Sequence, residues 1–473
     1  MRLKNSVFVF ALLAALATSA FAQDESYIPA PLPTASPSPA PQQQQPARRR
    51  VVPTLMTYPS VPDTAPDTVN PADAVTLVAT PTPTPYQHLG LYVQTLDGRV
   101  VMQQAADEGF NPASAVKLAT ALQALRTYGH DYRFSTVIWT NGTFDRETGT
   151  VTGNLIITGR DPSFHDEHAV AVARELNRLG IRTVTGDLIV SPGFTMNFSP
   201  RARTSGERFY DTLDATRRPA AAARAWYESL AASGNGAASA QPPSVAVMGA
   251  VVVAPAPTNA RVLATHRSSE LTDILKVLLC YSNNFMAERL GDGMGGAPGL
   301  RQFLVGKVGL PEWEVRLAST SGLGVNRLSP RSMLKVYVAL RDELAKHNLV
   351  PSDILPVAGI DPGTLRKRFT SDVARGSVVG KTGTLGRTDG GVSALVGEMR
   401  AQNGETLLFV MFHRRGSVYQ FRQQQDALVN SIQWARGGPA AFAYTPHTLA
   451  MRLADTEFDA RKGGKGEYES ISN

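Results

Sequence analysis

A serine and a lysine three residues apart, Ser114 and Lys117, combine residue types that can perform covalent chemistry. On a helix, positions three apart share a face, so the lysine amine can reach the serine hydroxyl. A serine needs an adjacent base to act as a nucleophile, and lysine can serve if burial or a neighbouring cation keeps it neutral. At a helix start the serine backbone amide is also available to an oxyanion. The pair therefore predicts acyl transfer.

The spacing alone does not select this pair. Two fixed residue types recur by chance about once or twice in a chain of this length. Ser332-Met333-Leu334-Lys335 is a second match, also near a predicted helix start. The neighbouring elements must therefore decide between Ser114 and Ser332.

A second polar element, Ser282-Asn283-Asn284, follows an apolar helical run. The Ser282 hydroxyl can relay a proton, and the Asn284 amide can hold a peptide carbonyl. The alternative interpretation is a simple turn between two helices, which Ser and Asn also favour. Ser233-Gly234-Asn235 has the same pattern within a stretch rich in small residues, and is interpreted as a decoy.

The third element, Lys381-Thr382-Gly383-Thr384, lies on a predicted strand. Lys381 offers a positive charge to a carboxylate, Thr382 and Thr384 add hydroxyls, and the Thr384 amide can be a second oxyanion donor. Gly383 removes a side chain where a ligand must approach the backbone. A set of turn residues at a strand edge is the alternative. The order Ser-x-x-Lys, Ser-x-Asn, Lys-Thr-Gly matches the triple signature of serine penicillin-interacting enzymes. Ser332 does not fit this order because it follows Ser282, so Ser114 is the preferred nucleophile.

Hydrophobic periodicity predicts the elements that position these residues. A strand hairpin precedes Ser114 (residues 89–96 and 99–103), and the helix bearing Ser114 runs from 113 to 128. The other predicted elements are strands over 155–157, 187–190, 378–384, 391–399 and 407–413, and helices over 168–179, 269–280 and 418–436, with a loop over 231–260. Together they predict the α/β class, with one antiparallel sheet covered by helices on both faces.

The amino-terminal segment indicates an exported protein. Arg2 and Lys4, an apolar run over 7–18 and the small residues around Ala22 predict a signal peptide, residues 1–22. A Pro-rich disordered linker is expected over 23–86 and a frayed tail over 437–473. We expect a periplasmic or other extracytoplasmic location, with no integral membrane segment after signal removal.

The charge pattern does not favour a nucleic-acid partner. The formal net charge is +7 and 18% of residues are charged, but no basic run is interleaved with aromatics. We interpret the excess arginine as a solvated surface, with a polyanionic partner as the alternative.

Other candidate sites have simpler interpretations. His165-Asp166-Glu167-His168 invites a metal site but lacks the His-Glu-x-x-His spacing, and a structural or solvated role is preferred. Cys280 in an apolar helix indicates a buried hydrophobe rather than a nucleophile. A Ser-His-Asp triad lacks the Gly-x-Ser-x-Gly elbow. No metal or cofactor is expected.

Beyond its three motifs, the chain resembles the D-alanyl-D-alanine carboxypeptidase/endopeptidase family, the class C low-molecular-mass penicillin-binding proteins, over residues 87–435. Further stretches that support the resemblance are 130–134, 186–190, 281–288, 321–323, 326–330, 356–361 and 363–365. Two departures are Gly159-Arg160-Asp161-Pro162, in place of a Gly-Gly-Asp-Pro-like turn, and Ser319-Thr320, in place of the usual Asp-Gly.

The resemblance implies a transpeptidase/β-lactamase-like catalytic domain (87–140 and 260–436) split by an inserted subdomain (141–259), shorter than usual. Ser114 would form the acyl-enzyme, Lys117 would activate it and Ser282 would relay a proton. Asn284, Lys381, Thr382, Gly383 and Thr384 would bind substrate. Peptidoglycan stem peptides would be substrates and β-lactams inhibitors. A β-lactamase and a non-catalytic wall-binding module stay as alternatives, and the balance with endopeptidase activity and the oligomeric state stay open.

Overall fold

A computed structural model describes residues 88–232, 241–446 and 449–459. The chain divides into two units, Met1–Gln87 and His88–Asn473, and all described residues belong to the second. The predicted signal peptide and Pro-rich linker lie outside the described residues. Of the described helices, none combines the length and apolar character that crossing a membrane requires.

The strands and helices are numbered in chain order. The described strands are β1 (Leu89–Thr95), β2 (Val100–Gln104), β3 (Arg133–Thr140), β4 (Thr143–Asp145), β5 (Thr150–Thr152), β6 (Leu155–Gly159), β7 (Thr183–Val184), β8 (Leu188–Val190), β9 (Ala246–Val247), β10 (Val251–Val253), β11 (Arg261–Glu270), β12 (Val378–Leu385), β13 (Val392–Arg400), β14 (Thr406–Arg414) and β15 (Glu457–Phe458). The described α-helices are α1 (Val116–Tyr128), α2 (Asp166–Arg178), α3 (Ala202–Leu213), α4 (Ala220–Ala232), α5 (Leu271–Tyr281), α6 (Asn284–Asp292), α7 (Gly296–Gly306), α8 (Pro330–Ala345), α9 (Pro351–Ile354), α10 (Val418–Trp434) and α11 (Leu449–Ala454).

Five antiparallel strands form the main sheet, in the order β12-β13-β14-β1-β2. Its central strands are apolar without alternation because both faces are covered. In β14, Leu407, Phe409 and Met411 pack on the face that α10 covers, and the residues between them pack on the face that α1, α5 and α8 cover. The prediction of an antiparallel sheet between helical layers is confirmed for this sheet.

The segment between α1 and α5 builds two further sheets. One has the order β10-β8-β6-β3-β11-β15 and the other β4-β5-β7-β9. The expectation of a single sheet is therefore wrong for the chain. β3 and β11, which flank the predicted inserted subdomain, belong to the same sheet as its strands β6, β8 and β10.

The predicted loop over 231–260 is wrong in part, because it contains β9 and β10. Both pair in parallel with strands distant in sequence, β9 with β7 and β10 with β8. Strands of two or three residues carry no periodicity of their own, so only their tertiary partners define them.

The prediction of a frayed tail over 437–473 is also wrong for its described residues, 437–446 and 449–459. Arg452 of α11 donates to Asp273 of α5 at 2.6 Å. β15 pairs with β11 and extends its sheet. Long-range contacts order this segment, and its composition does not reveal them.

Two helix starts differ from prediction. Residues 113–115 form a 3-10 turn before α1, and the helix predicted from 269 begins at Leu271 because Ser269 still belongs to β11.

Candidate active site

Ser114 lies in the 3-10 turn that leads into α1, and its side chain is partly exposed. Asn111 Oδ1 accepts the Ala113 N–H at 3.0 Å. Gly322 has a φ of +87°, and a Cβ there would overlap the Ala113 carbonyl, so only glycine suits both the conformation and the contact. Two neighbours thus hold the turn before Ser114, one of them from a loop distant in sequence.

Lys117 is fully buried, and its Nζ lies 2.9 Å from Ser114 Oγ. The amine also donates to Asn284 Oδ1 at 2.7 Å and to the Ser321 carbonyl at 2.6 Å. An ammonium has three N–H donors, so these acceptors use all of them. After losing one proton, the amine can still donate to Asn284 and Ser321 while its lone pair faces the Ser114 hydroxyl.

The surroundings of Lys117 favour the neutral amine. Burial lowers the pKa of Lys117 well below its usual value, and the charge of Lys381 lowers it further. The carboxylate of Glu288 acts in the opposite direction and raises this pKa. The three hydrogen bonds of Lys117 go to uncharged oxygens, which compensate burial of an ammonium less than an ion pair would.

Ser282 and Asn284 lie on either side of a tight turn between α5 and α6. Ser282 has left-handed backbone angles, and Asn283 caps α6 with its side chain. The turn also places Ser282 Oγ 2.7 Å from Lys381 Nζ, while Asn284 Oδ1 accepts from Lys117. The segment is therefore a turn between two helices, and it also brings Ser282 to Lys381 and Asn284 to Lys117. The two interpretations of this element are compatible.

Lys381 lies in β12, the edge strand of the main sheet, and is fully buried. Its Nζ donates to Ser282 Oγ and, at 2.7 Å, to the Thr382 carbonyl. Burial lowers the pKa of Lys381 to about 7. Thr382 and Thr384 share one face of the strand, and Thr384 is exposed. The edge of β12 thus offers a buried amine and two hydroxyl side chains.

Gly383 lies in close contact with the turn before Ser114. A Cβ at this position would lie 2.6 Å from the Pro112 carbonyl oxygen and 3.1 Å from Ala113 Cβ. The backbone that approaches Gly383 in the structure is the chain's own, the turn before Ser114. This close approach sets the distance between β12 and the Ser114 turn.

Sequence reasoning gave no site role to Glu288, Thr320 and Ser321. Glu288 accepts the Ser321 N–H at 3.0 Å and the Thr320 hydroxyl at 2.8 Å. Glu288 thereby holds in place the loop that contains Ser321, whose carbonyl accepts a hydrogen bond from Lys117. The available signal was spacing, because Glu288 lies four residues after Asn284 and so on the same face of α6.

The remaining candidates have structural surroundings. His168 is buried in α2, where its ring accepts the His165 N–H at 3.0 Å and contacts the Leu453 carbonyl at 2.9 Å, which agrees with a structural role. Within residues 88–232, 241–446 and 449–459, no group of three or more His, Cys, Asp or Glu could hold a metal ion. Cys280 is buried, which raises its thiol pKa to about 12. Ser233-Gly234-Asn235 lies outside the described residues.

Sequence comparisons link the chain to D-alanyl-D-alanine carboxypeptidases. The model of the D-Ala-D-Ala carboxypeptidase 3 (S13) family matches residues 75–207 and 237–434. The chain is 28% identical over 409 residues to a D-alanyl-D-alanine carboxypeptidase of Actinomadura sp., a match covering 66% of this chain and 75% of that protein. It is 26% identical over 393 residues to the D-alanyl-D-alanine carboxypeptidase DacB of Haemophilus influenzae, covering 63% and 79% respectively.

Solved structures share the fold. Bd3459, a predatory peptidoglycan endopeptidase from Bdellovibrio bacteriovorus, aligns with a TM-score of 0.63 and 22% identity, covering 76% of this chain and 96% of that one. Penicillin-binding protein 4 from Haemophilus influenzae aligns with a TM-score of 0.53 and 20% identity, covering 72% and 96%.

The fold is that of the penicillin-binding proteins, a class of transpeptidase-like enzymes. Within this class the chain belongs to the D-Ala-D-Ala carboxypeptidase 3 (S13) family, and it is a hydrolase of that type. The expected family, fold class and enzyme type are thereby confirmed.

Proposed function

We propose that this enzyme is a serine D-alanyl-D-alanine carboxypeptidase that hydrolyses peptidoglycan stem peptides through an acyl-enzyme on Ser114. The observation that carries the proposal is the 2.9 Å approach of the buried Lys117 amine to the partly exposed Ser114 hydroxyl. The family and the names of the relatives support the reaction type.

In the first step the neutral Lys117 amine takes the Ser114 proton as Oγ attacks the carbonyl carbon of the penultimate D-alanine. The carbonyl oxygen becomes an oxyanion. The backbone amides of Ser114 and Thr384 are proposed as its donors, because such preorganised dipoles stabilise charge that develops in the transition state.

In the second step the peptide C–N bond breaks and the leaving amine takes a proton. Ser282 is the proposed relay: its hydroxyl donates to the leaving amine and receives the proton that Lys117 took from Ser114, so Lys117 is neutral again before water attacks. The bond from Lys381 Nζ, 2.7 Å from Ser282 Oγ, would hold this hydroxyl in place. The released product is D-alanine. Water then attacks the acyl carbon, with Lys117 as the proposed base, and restores the Ser114 hydroxyl.

Substrate binding is assigned to Asn284 and to β12. Lys381, Thr382 and Thr384 would bind the terminal carboxylate, and Gly383 would keep the strand against the Ser114 turn. β-Lactams would acylate Ser114. In support, the endopeptidase Bd3459 has been solved in a penicillin G-acylated form.

Labelling with a fluorescent penicillin tests the proposal. Wild type is expected to form a stable adduct that Ser114→Ala abolishes and Ser332→Ala retains. Adduct on folded Ser114→Ala protein would refute the assignment of the nucleophile. Rapid loss of the label from wild type would favour a β-lactamase, and folded wild type that does not label would favour a non-catalytic wall-binding module.

A DD-endopeptidase activity is the second candidate. Two predatory endopeptidases of Bdellovibrio bacteriovorus are covered to 96% and 98% of their length by this chain. The reduced insertion is thus compatible with an endopeptidase. Mass spectrometry of muropeptides separates the activities: loss of one D-alanine from monomers indicates carboxypeptidase, and conversion of dimers to monomers indicates endopeptidase.

The roles of the flanking segments are further proposals. Residues 1–22 would direct export to the periplasm or another extracytoplasmic compartment, and 23–86 would act as a spacer before the catalytic domain. Amino-terminal sequencing of the secreted protein tests the first role, with a start near Gln23 as the expected result.

A further inference from the structure

Arg422 of α10 lies beside the exposed end of the Lys-Thr-Gly-Thr segment. Its Nη2 donates to Thr384 Oγ1 at 3.0 Å. α10 covers one face of the main sheet. The Arg422 guanidinium therefore reaches the edge strand β12 from the side opposite the Ser114 turn. Arg422 therefore contacts one of the two hydroxyls that the proposed function assigns to the terminal carboxylate.

Arg422 forms no direct ion pair with Asp426, the acidic residue of α10. The carboxylate one helical turn later, Asp426, is bound by Arg368, whose Nε donates to it at 2.9 Å. Arg368 also donates to the Arg422 backbone carbonyl. In the part of the chain that the structure describes, no carboxylate forms an ion pair with Arg422.

The surroundings of Arg422 disfavour an isolated cation. Partial desolvation lowers the pKa of Arg422 from its usual value and the positive charge of Arg368 lowers it further, while the Asp426 carboxylate offsets part of this decrease. An arginine nevertheless stays protonated at neutral pH. Binding of an anion here would relieve both effects.

We propose that Arg422 is a second cation for the C-terminal carboxylate of the substrate, acting with Lys381 and the hydroxyls of Thr382 and Thr384. This inference rests on the proposed function of the same site. Since a guanidinium has several donors in a planar fork, it can keep its bond to Thr384 and also donate to a carboxylate oxygen.

The two cations have complementary properties. Lys381, with a pKa of about 7, is only partly charged near neutral pH before substrate binds. Arg422 carries its charge throughout the physiological range. Arg422 would therefore retain part of the carboxylate recognition when Lys381 is neutral.

The test compares an acyl-D-alanyl-D-alanine peptide with the same peptide ending in an amide. Arg422→Gln retains an N–H donor for Thr384 but removes the charge, and Arg422→Ala removes both. For the carboxylate peptide, both variants are expected to raise KM about tenfold to a hundredfold with little change in kcat. For the amide peptide, neither variant should change kcat/KM.

Arg146→Ala, which removes an exposed charge in the inserted segment, is the control for net charge and should leave both peptides unaffected. Unchanged KM in Arg422→Gln would overturn the inference and leave Arg422 as a tie between α10 and β12. Equal losses on both peptides would overturn it as well. Failure of wild type to cleave either peptide would instead refute the proposed function.

Discussion

Two segments of this chain have the Ser-x-x-Lys spacing, and they differ in which of the two side chains is buried. Ser332 is buried, its N–H donates to Ser329 Oγ at 3.1 Å, and its hydroxyl donates to the Glu314 carboxylate, while Lys335 is exposed. In the other segment the serine is partly exposed and the lysine is fully buried. Spacing brings an amine within reach of a hydroxyl, but burial of the lysine and access to the serine decide whether the pair can react.

Lys276 shows that burial alone is also insufficient. It is as buried as Lys117, but its Nζ lies 2.7 Å from Asp361 Oδ2 and donates to the carbonyls of Ser352 and Leu355. A carboxylate partner stabilises the ammonium. A basic lysine therefore needs burial together with uncharged hydrogen-bond partners.

The largest expected effect follows from removing the amine of Lys117, with the equivalent change in the second Ser-x-x-Lys pair as the control. Lys117→Met should lower the rate of penicillin acylation by about a hundredfold to ten thousandfold, since it removes the proposed general base. Lys117→Arg should lose acylation as well, because arginine stays protonated. Lys335→Met is the matched control and should retain the wild-type rate. Similar rates in Lys117→Met and wild type, by stopped-flow labelling, would refute the role of Lys117.

Removing the amine of the structural lysine should affect stability. Lys276→Met leaves the buried Asp361 carboxylate without its cation, and the expected loss is about 3–5 kcal/mol in the free energy of unfolding. Urea denaturation measures it, with Lys335→Met expected to stay within about 0.5 kcal/mol of wild type. The folded fraction of Lys276→Met should still label with penicillin; loss of labelling there would show that this lysine also supports the site.

The pH dependence should separate the two site lysines. Lys117 acts as a base when neutral, so kcat/KM falls as pH drops through its lowered pKa, about tenfold per unit. Lys381 binds a carboxylate when charged, so KM rises as pH passes above about 7. A bound carboxylate raises the pKa of Lys381, which moves the alkaline limb of kcat to higher pH. An amide-terminated peptide that keeps the alkaline limb would contradict this assignment of Lys381.

The smallest expected effect concerns the carboxylate behind Lys117. Glu288→Gln can keep the acceptor for Ser321 but removes a negative charge that raises the Lys117 pKa. The acid limb of acylation should therefore move to lower pH. Glu147→Gln, at an exposed position, is the control. A shift to higher pH, or none, would argue against electrostatic control by Glu288.

The main-sheet strands and α10 could be predicted from sequence because their apolar runs are long and bounded by clear turn residues. The short strands β9 and β10 and the ordered residues after 437 could not, since their pairing partners lie far away in the chain. In the site, the types of Ser114, Lys117 and Lys381 were recognisable from their motifs. Glu288 belongs to no motif, and its spacing from Asn284 was the only signal. Its effect on Lys117 depends on a loop brought to it by folding.

The sequence by itself determined which residues can react and in what order they occur, because motif order and spacing are local properties of the chain. It already favoured Ser114 over Ser332, since only Ser114 precedes the Ser-x-Asn element. The tertiary structure decided the chemical state of each lysine. Lys117, Lys276 and Lys335 have the same side chain, and only the surrounding fold buries the first among neutral acceptors, pairs the second with Asp361 and leaves the third in solvent. The physical reason is that desolvation and neighbouring charge depend on atoms brought together by folding.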